Sequence, residues 1–264
     1  MAGLGLSELA RYGFVELEAT VPKLDQLVSA VGDSGRSALA ELGNAANPDQ
    51  ALNALLDLAA IDKATVKKLL SKTDTASRLV RTLGASSAMV DLLRRHPEFL
   101  TVFGVKEAEL PTSGEIRKRF QAAIQLPHGT TEDRWGAIRL AYRLELVRLV
   151  AFDVTRPEAV ESFREVSKQL SDLATEAMQA GLAIARLELV SGTDHGSFTS
   201  QEVELTRLAV IAMGKCGARE LNYISDVDVI FVADTGSSDL DKERALEIAT
   251  RLATRMMRAM DGTA

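Results

Sequence analysis

With 264 residues, 46% of them hydrophobic and 26% charged, the chain has enough apolar mass for one or two domains with real cores. Its net charge of −6 argues against a nucleic-acid partner held mainly by phosphate contacts, and its single cysteine, Cys216, excludes an intrachain disulfide or a cysteine-type zinc site and fits a reducing compartment. The first 20 positions lack a basic head followed by an apolar run, and no stretch approaches the roughly 18 apolar residues of a membrane span, so a cytoplasmic protein is expected.

From Ser7 to about Val190 the apolar residues recur at three and four, as in Leu52, Leu55, Leu56, Leu58 and Ala59, or Leu140, Leu144, Val147 and Val150. This period predicts a long helical region. Turn and N-cap chemistry at "GNAANPDQ" (43 to 50), "GVKEAELPTSG" (104 to 114), "LPHGTTED" (126 to 133) and "TRPEA" (155 to 159) divides it into roughly six to nine helices. No fixed-period repeat marks a helical solenoid. "SGTDHGSFTSQ" (191 to 201) shifts to Gly, Ser and Thr and predicts a linker, with a first strand expected in "VELTRLAVIAM". "ISDVDVIFVAD" is rich in Val, Ile and Phe and predicts a second strand. After "TGSSD", Ser238 and Asp241 form the pattern of a capping box, opening an amphipathic helix with a stripe of Ala245, Ile248, Leu252, Met256 and Met260. The expected architecture is mainly α with a small α+β part, divided into a helical region, 1–198, and a smaller unit, 199–264, ordered strand, Gly loop, short helix, strand, helix.

Two features of that smaller unit carry chemistry. Asp226 and Asp228 are two apart, so on a strand their side chains share a face, with Cα atoms about 6.6 Å apart. Two carboxylates so placed suit Mg²⁺, which takes oxygen ligands and keeps positions for water and substrate phosphates. Val227, Val229 and Phe231 on the other face would anchor the strand in a core. Asp234 reads as a turn acid. Upstream, "MGKCGARE" falls between a strand and a helix start, where Gly214 and Gly217 allow close backbone approach to an anion and Lys215 can add a mobile charge. It is neither a Walker A loop nor GxGxxG. Ser225 could offer a hydroxyl to a phosphate oxygen. Only eight residues separate Gly217 from Asp226, so phosphate cradle and metal ligands are expected as neighbours.

Taken together, "GKCGARELNYISDVDVIF" resembles the G-K-x-G-x-x-E-L-x-x-x-S-D-x-D motif of glutamine synthetase adenylyltransferases, in the polymerase β-like nucleotidyltransferase superfamily, through Gly214, Lys215, Gly217, Glu220, Leu221, Ser225, Asp226 and Asp228. "RWGAIRLAYRLELVRLVAFDV" and "LRRHPEFL" are similar, more weakly, to the family's helical segment. The resemblance implies an ATP-dependent transferase system with two nucleotidyltransferase units. One removes AMP from a tyrosine of glutamine synthetase by phosphorolysis, releasing ADP, and the other adds AMP from ATP. It implies Mg²⁺ on Asp226 and Asp228, adenine nucleotide and phosphate as small ligands, and glutamine synthetase and a PII signal protein as partners in nitrogen regulation. Met1 and about 200 helical residues ahead of the motif resemble the deadenylylating half. The third acid of the family pattern, in a later D-x-x-L-R-P-like segment, is missing, and Asp261 is a poor substitute, so the chain is expected to be a fragment with little activity alone. The alternatives are the adenylylating half, a helical module docking glutamine synthetase or PII, or a superfamily member with another substrate.

Remaining candidates have plainer expectations. His96, His128 and His195 read as structural or solvated, and Arg251, Arg255 and Arg258 as a solvated helix face. Trp135 and Tyr142 read as core. Cys216 is either a reactive thiol near Lys215 or a small space-filler.

Overall fold

The computed structural model describes residues 5–105, 110–126, 129–191, 198–235 and 240–261. It is mainly α with one two-stranded antiparallel sheet, as the sequence predicts. The helices in chain order are α1 (Leu6–Arg11), α2 (Leu17–Val31), α3 (Asp33–Leu42), α4 (Pro48–Ile61), α5 (Lys63–Leu70), α6 (Thr73–Ala85) and α7 (Ser87–Arg95), followed by a 3-10 segment, Pro97–Gly104. Then come α8 (Ser113–Ile124), α9 (Thr131–Asp153), α10 (Ala159–Ser191), α11 (Ser200–Leu205), β1 (Arg207–Ala212), α12 (Gly214–Gly217), β2 (Val229–Asp234) and α13 (Lys242–Asp261).

The described helices between Leu6 and Ser191 outnumber the six to nine expected. The extra breaks rest on single capping residues inside apolar-periodic runs. Asp62 accepts from the Thr65 N–H at 3.0 Å and Ser86 from the Met89 N–H at 3.3 Å, each satisfying an otherwise orphaned donor at a helix start. The expected Pro/Asn/Thr breaks also carry caps. Asn47 caps α4 ahead of Pro48, and Thr112 and Glu115 form a reciprocal capping box on α8.

The chain divides into two compact units, Met1–Leu110 with Leu146–Ala159, and Pro111–Glu145 with Val160–Ala264. This grouping cuts across the sequence division at 198, because α10 falls in the same unit as the sheet. The first unit is a packed set of helices whose interior includes the fully buried Leu24, Leu27, Leu52, Leu55, Leu79 and Leu83. Its buried Arg78 donates to the carbonyls of Phe103 and Val105 at 2.9 and 2.6 Å, pairing a costly interior charge with backbone acceptors.

The second unit builds its core from Ala185 and Leu189 of α10, Phe198, Val203 of α11, and Ile248 and Leu252 of α13, with Leu208 of β1 packed against them. β1 and β2 pair from Arg207↔Asp234 to Ala212↔Val229, so the expected turn acid Asp234 ends a strand. Ser200–Leu205 is a helix rather than linker and strand. Thr199 accepts from the Glu202 N–H and Glu202 reaches back to the Thr199 N–H at 2.7 Å, a capping box that starts α11. On α13, Ala245, Ile248, Leu252 and Met256 are buried as expected, whereas Met260 is 38% exposed. Its first turn is capped by Asp241, whose carboxylate accepts from the Arg244 N–H at 3.0 Å; the expected partner Ser238 lies outside the described residues.

Glu202 also accepts from Arg244 Nε at 2.9 Å. That guanidinium, helped by the Thr199 N–H, holds the carboxyl at about 2, against an ordinary 4.5. A depressed carboxylate stabilises the fold above its unfolded value and ceases to do so as pH falls through its folded value. Glu202→Gln keeps the capping-box geometry but loses the charge. The melting-temperature gap between wild type and this variant is therefore expected to be constant above pH ~5 and to close between ~4.5 and ~2. Melts across that range check it.

Candidate functional site

β1 delivers the chain into a one-turn helix, α12, at Gly214, whose φ of +52° is a left-handed value that suits glycine. The glycine loop expected ahead of a short helix is thus itself that helix. With so few aligned peptides its dipole is small, and any anion there would be held by the first-turn N–H groups and Lys215. Gly217 closes the turn against β1. A Cβ at this position would sit 2.4 Å from the Ala212 carbonyl oxygen, so the approach requires glycine.

Asp226 and Asp228 stand just ahead of β2 rather than within it. The ladder nonetheless runs one pair further, because the Met213 N–H donates to the Asp228 carbonyl at 2.8 Å. Exposure alternates residue by residue from Ser225 to Asp234, with Asp226, Asp228, Ile230 and Val232 open to solvent and Val227, Val229, Phe231 and Ala233 partly buried. The two acids therefore share the open face. The Asp228 carboxylate oxygen Oδ2 lies 3.8 Å from the position a Cβ on Gly214 would take, so acid and glycine turn are neighbours. Lys215 Nζ lies 3.4 Å from Ser225 Oγ, which itself donates to Asn222 Oδ1 at 2.5 Å. Gly214 is thus brought to Asp228 and Lys215 to Ser225, and Asp226, between Ser225 and Asp228 in the chain, lines with Ser225 a cavity walled by α9, α10 and α13.

The connection from Gly217 to Ser225 is tied to α10. Arg219, at φ +62°, pairs with the largely buried Asp172, which also holds Lys168 at 3.0 Å. The Leu221 N–H reaches Ser171 Oγ at 3.4 Å, and the Leu221 side chain is buried. Asn222 Oδ1 also accepts from the Ile224 N–H at 3.2 Å, an Asx turn that sets up Ser225. Asp172 and Ser171 carry no sequence signal for this role, since they lie some 50 residues upstream on a helix; Asn222, a turn former two residues before "IS", does.

Among the described residues, neither the Asp226 nor the Asp228 side chain makes an ion pair or hydrogen bond, and no group of three His, Cys, Asp or Glu side chains could hold a metal. Two like charges left uncompensated on one open face form a hard-oxygen donor pair that fits Mg²⁺ with water and phosphate completing its shell. Lys215, 3.4 Å from Ser225 Oγ, carries a positive charge that suits phosphate oxygens. The arrangement can hold a cation–phosphate assembly.

The other candidates resolve structurally. Cys216 is buried, and burial raises its thiol, so it is a space-filler behind the turn. Tyr142 is raised as well, first by burial and then by Cys216. His96 ends α7, with its ring stacked on Phe99 at 5.2 Å and 3.1 Å from Glu98; His128 and His195 lie outside the described residues. Arg255 pairs with Glu188 at 2.7 Å, and Arg251 with Glu247 at 3.4 Å.

Residues 76–264 match the model of the family described as glutamate-ammonia ligase adenylyltransferase. Proteins named bifunctional glutamine synthetase adenylyltransferase/adenylyl-removing enzyme are similar along nearly all of the chain. That of Leifsonia xyli is 39% identical over 99% of this chain and 26% of its own length, that of Streptomyces coelicolor 36% over 97% and 24%, and that of Cutibacterium acnes 35% over 95% and 25%. The chain spans about a quarter of the length of these relatives. On the family match and on this identity, the chain belongs to the glutamate-ammonia ligase adenylyltransferase family.

Proposed function

We propose that this chain is part of the deadenylylating unit of a bifunctional nucleotidyltransferase, which removes AMP from a modified tyrosine of glutamine synthetase by phosphorolysis and releases ADP. The observation that carries the reading is the closeness of Asp228 to Gly214 and of Lys215 to Ser225, which brings the glycine turn and the segment that carries the acid pair together. The names of the relatives, which join adenylyl transfer with adenylyl removal on glutamine synthetase, support it. The same reading carries with it a cytoplasmic setting, adenine nucleotide and phosphate as ligands, and a PII signal protein as regulatory partner.

In this reading Asp226 and Asp228 hold Mg²⁺, which supplies positive charge against the phosphoryl oxygens of the bound AMP group. Lys215 and the first-turn N–H groups of α12 hold phosphate oxygens, and Ser225, whose hydroxyl proton is given to Asn222, donates to another once it turns from that partner. The attacking group is inorganic phosphate, already an anion, so no protein base is needed. One of its oxygens bonds to the AMP phosphorus, the bond from phosphorus to the tyrosine oxygen breaks, and the phenolate takes a proton from water. Because no third acid joins the pair among the described residues, the 264 residues alone are expected to bind nucleotide better than they turn it over.

The test uses the protein that contains these 264 residues, assayed in both directions. Asp228→Asn is expected to stop ADP release from adenylylated glutamine synthetase and phosphate while sparing pyrophosphate release from ATP and unmodified glutamine synthetase. The opposite pattern would assign the segment to the adenylylating half.

A further inference from the structure

The single turn of α12 is too short to hold itself, because a first helical turn fixes several residues for one hydrogen bond. Two backbone bonds close its C-terminal end. The Arg219 N–H donates to the Cys216 carbonyl at 3.1 Å, and the Glu220 N–H reaches past it to the Lys215 carbonyl at 2.7 Å. This is the Schellman arrangement, in which the residue just past the cap takes a left-handed φ and is commonly glycine. Here that residue is Arg219, at +62°, the one non-glycine residue with a positive φ among those described. A side chain disfavours this conformation, which persists where the surroundings over-determine it. Asp172 of α10 supplies the constraint. Its carboxylate, 9% exposed, pairs with the Arg219 guanidinium and also holds Lys168 at 3.0 Å. The phosphoryl chemistry derived above gives Arg219 no part. Yet the bond from Glu220 that its left-handed turn permits fixes the backbone of Lys215, whose Nζ stands 3.4 Å from Ser225 Oγ.

We propose that Arg219 is a positioning residue: anchored on Asp172, it holds the end of α12 and so places Lys215 for a phosphate. The assignment rests on the nucleotidyl-transfer reading, from which Lys215 takes its ligand. A role in stability alone has a different consequence for Arg219→Gly, namely a lower melting temperature with binding kept in the folded protein. Glycine adopts the left-handed turn without strain, the arginine is half-exposed, and Asp172 retains Lys168. Arg219→Gly is therefore expected to melt close to wild type while it frees the turn from α10.

Thermal melts and calorimetric titration with Mg-ADP are made on wild type, Arg219→Gly, Lys215→Ala and the double variant. Each single variant is expected to weaken Mg-ADP about tenfold, the scale of a small misplacement where charged groups converge on one ligand. The double variant is expected to be no weaker than Lys215→Ala, because Arg219 acts through Lys215. Arg219→Lys keeps a cation for Asp172 and is expected to recover most of the loss. Wild-type affinity in Arg219→Gly, with Lys215→Ala weakened, would overturn the proposal and leave the phosphoryl site standing. A silent Lys215→Ala would remove the phosphate role of that lysine and the positioning role with it. Losses that add in the double variant would give Arg219 an effect of its own, and a clear fall in the melting temperature of Arg219→Gly would make it structural; either result overturns the proposal.

Discussion

Replacing both acids, Asp226→Asn with Asp228→Asn, is expected to abolish detectable Mg-ADP binding by the 264-residue chain and to cut turnover in the protein that contains it by at least ~100-fold. That scale is the loss seen when one preorganised charge-stabilising group is taken from a transition state. The substitution keeps shape and removes charge alone. Both side chains are solvent-exposed and, among the described residues, unpaired, so nothing in the fold depends on them. Two carboxylates on one face repel each other, and relieving that repulsion leaves the melting temperature unchanged or slightly raised. Calorimetric titration with Mg-ADP and a thermal melt on the same sample separate the outcomes. Lost binding with an unchanged melt identifies a ligand site. Unchanged binding would take the metal and phosphate roles away from this pair, and a fall in melting temperature would make the acids structural.

This separation between stability and function explains which parts of the molecule the sequence makes legible. The acid pair is read from period two alone, because a strand with one buried face must alternate, and the exposure from Ser225 to Asp234 does so. The stripe on α13 is likewise local and periodic, failing only at Met260, in the last turn. Helix starts are legible where Pro, Asn or Thr cluster and illegible where one Asp62 or Ser86 interrupts an apolar rhythm that continues on both sides. α11 hides for a related reason. Its six residues are too short for a period to show, and the Thr199–Glu202 pair that nucleates it looks like linker composition. Contacts that cross the sequence leave no trace in a single chain. The Arg219–Asp172 pair and the Leu221–Ser171 bond fix the loop that presents Ser225, yet each joins positions about 50 residues apart. The cavity walled by α9, α10 and α13 exists only after those helices pack.

Gly217→Ala tests how far the site depends on the seating of α12 on β1. The added Cβ would fall 2.4 Å from the Ala212 carbonyl oxygen and 3.0 Å from its carbon. Both are backbone atoms, held in the ladder by the pairing of Ala212 with Val229, so they cannot rotate aside as the end of a flexible side chain would. The turn must lift instead. Overpacking of this kind costs about 1–3 kcal/mol, which in a chain of this size lowers the melting temperature by roughly 2–4 °C per kcal/mol. The functional loss should be larger in proportion. Gly214 and Lys215 sit on the displaced turn, whereas Asp228 is tied to Met213 at the end of β1, so lifting α12 opens the gap between Lys215 and the acid pair while the sheet stays formed. Mg-ADP affinity is expected to fall at least tenfold, because misplacement by about 1 Å is costly where charged groups converge on one ligand. Far-ultraviolet circular dichroism, a melt and a Mg-ADP titration on the variant decide the matter. Wild-type affinity in a folded, mildly destabilised Gly217→Ala protein would show that nucleotide phosphates do not lean on the turn at all, and Lys215→Ala in the same background would then be equally silent.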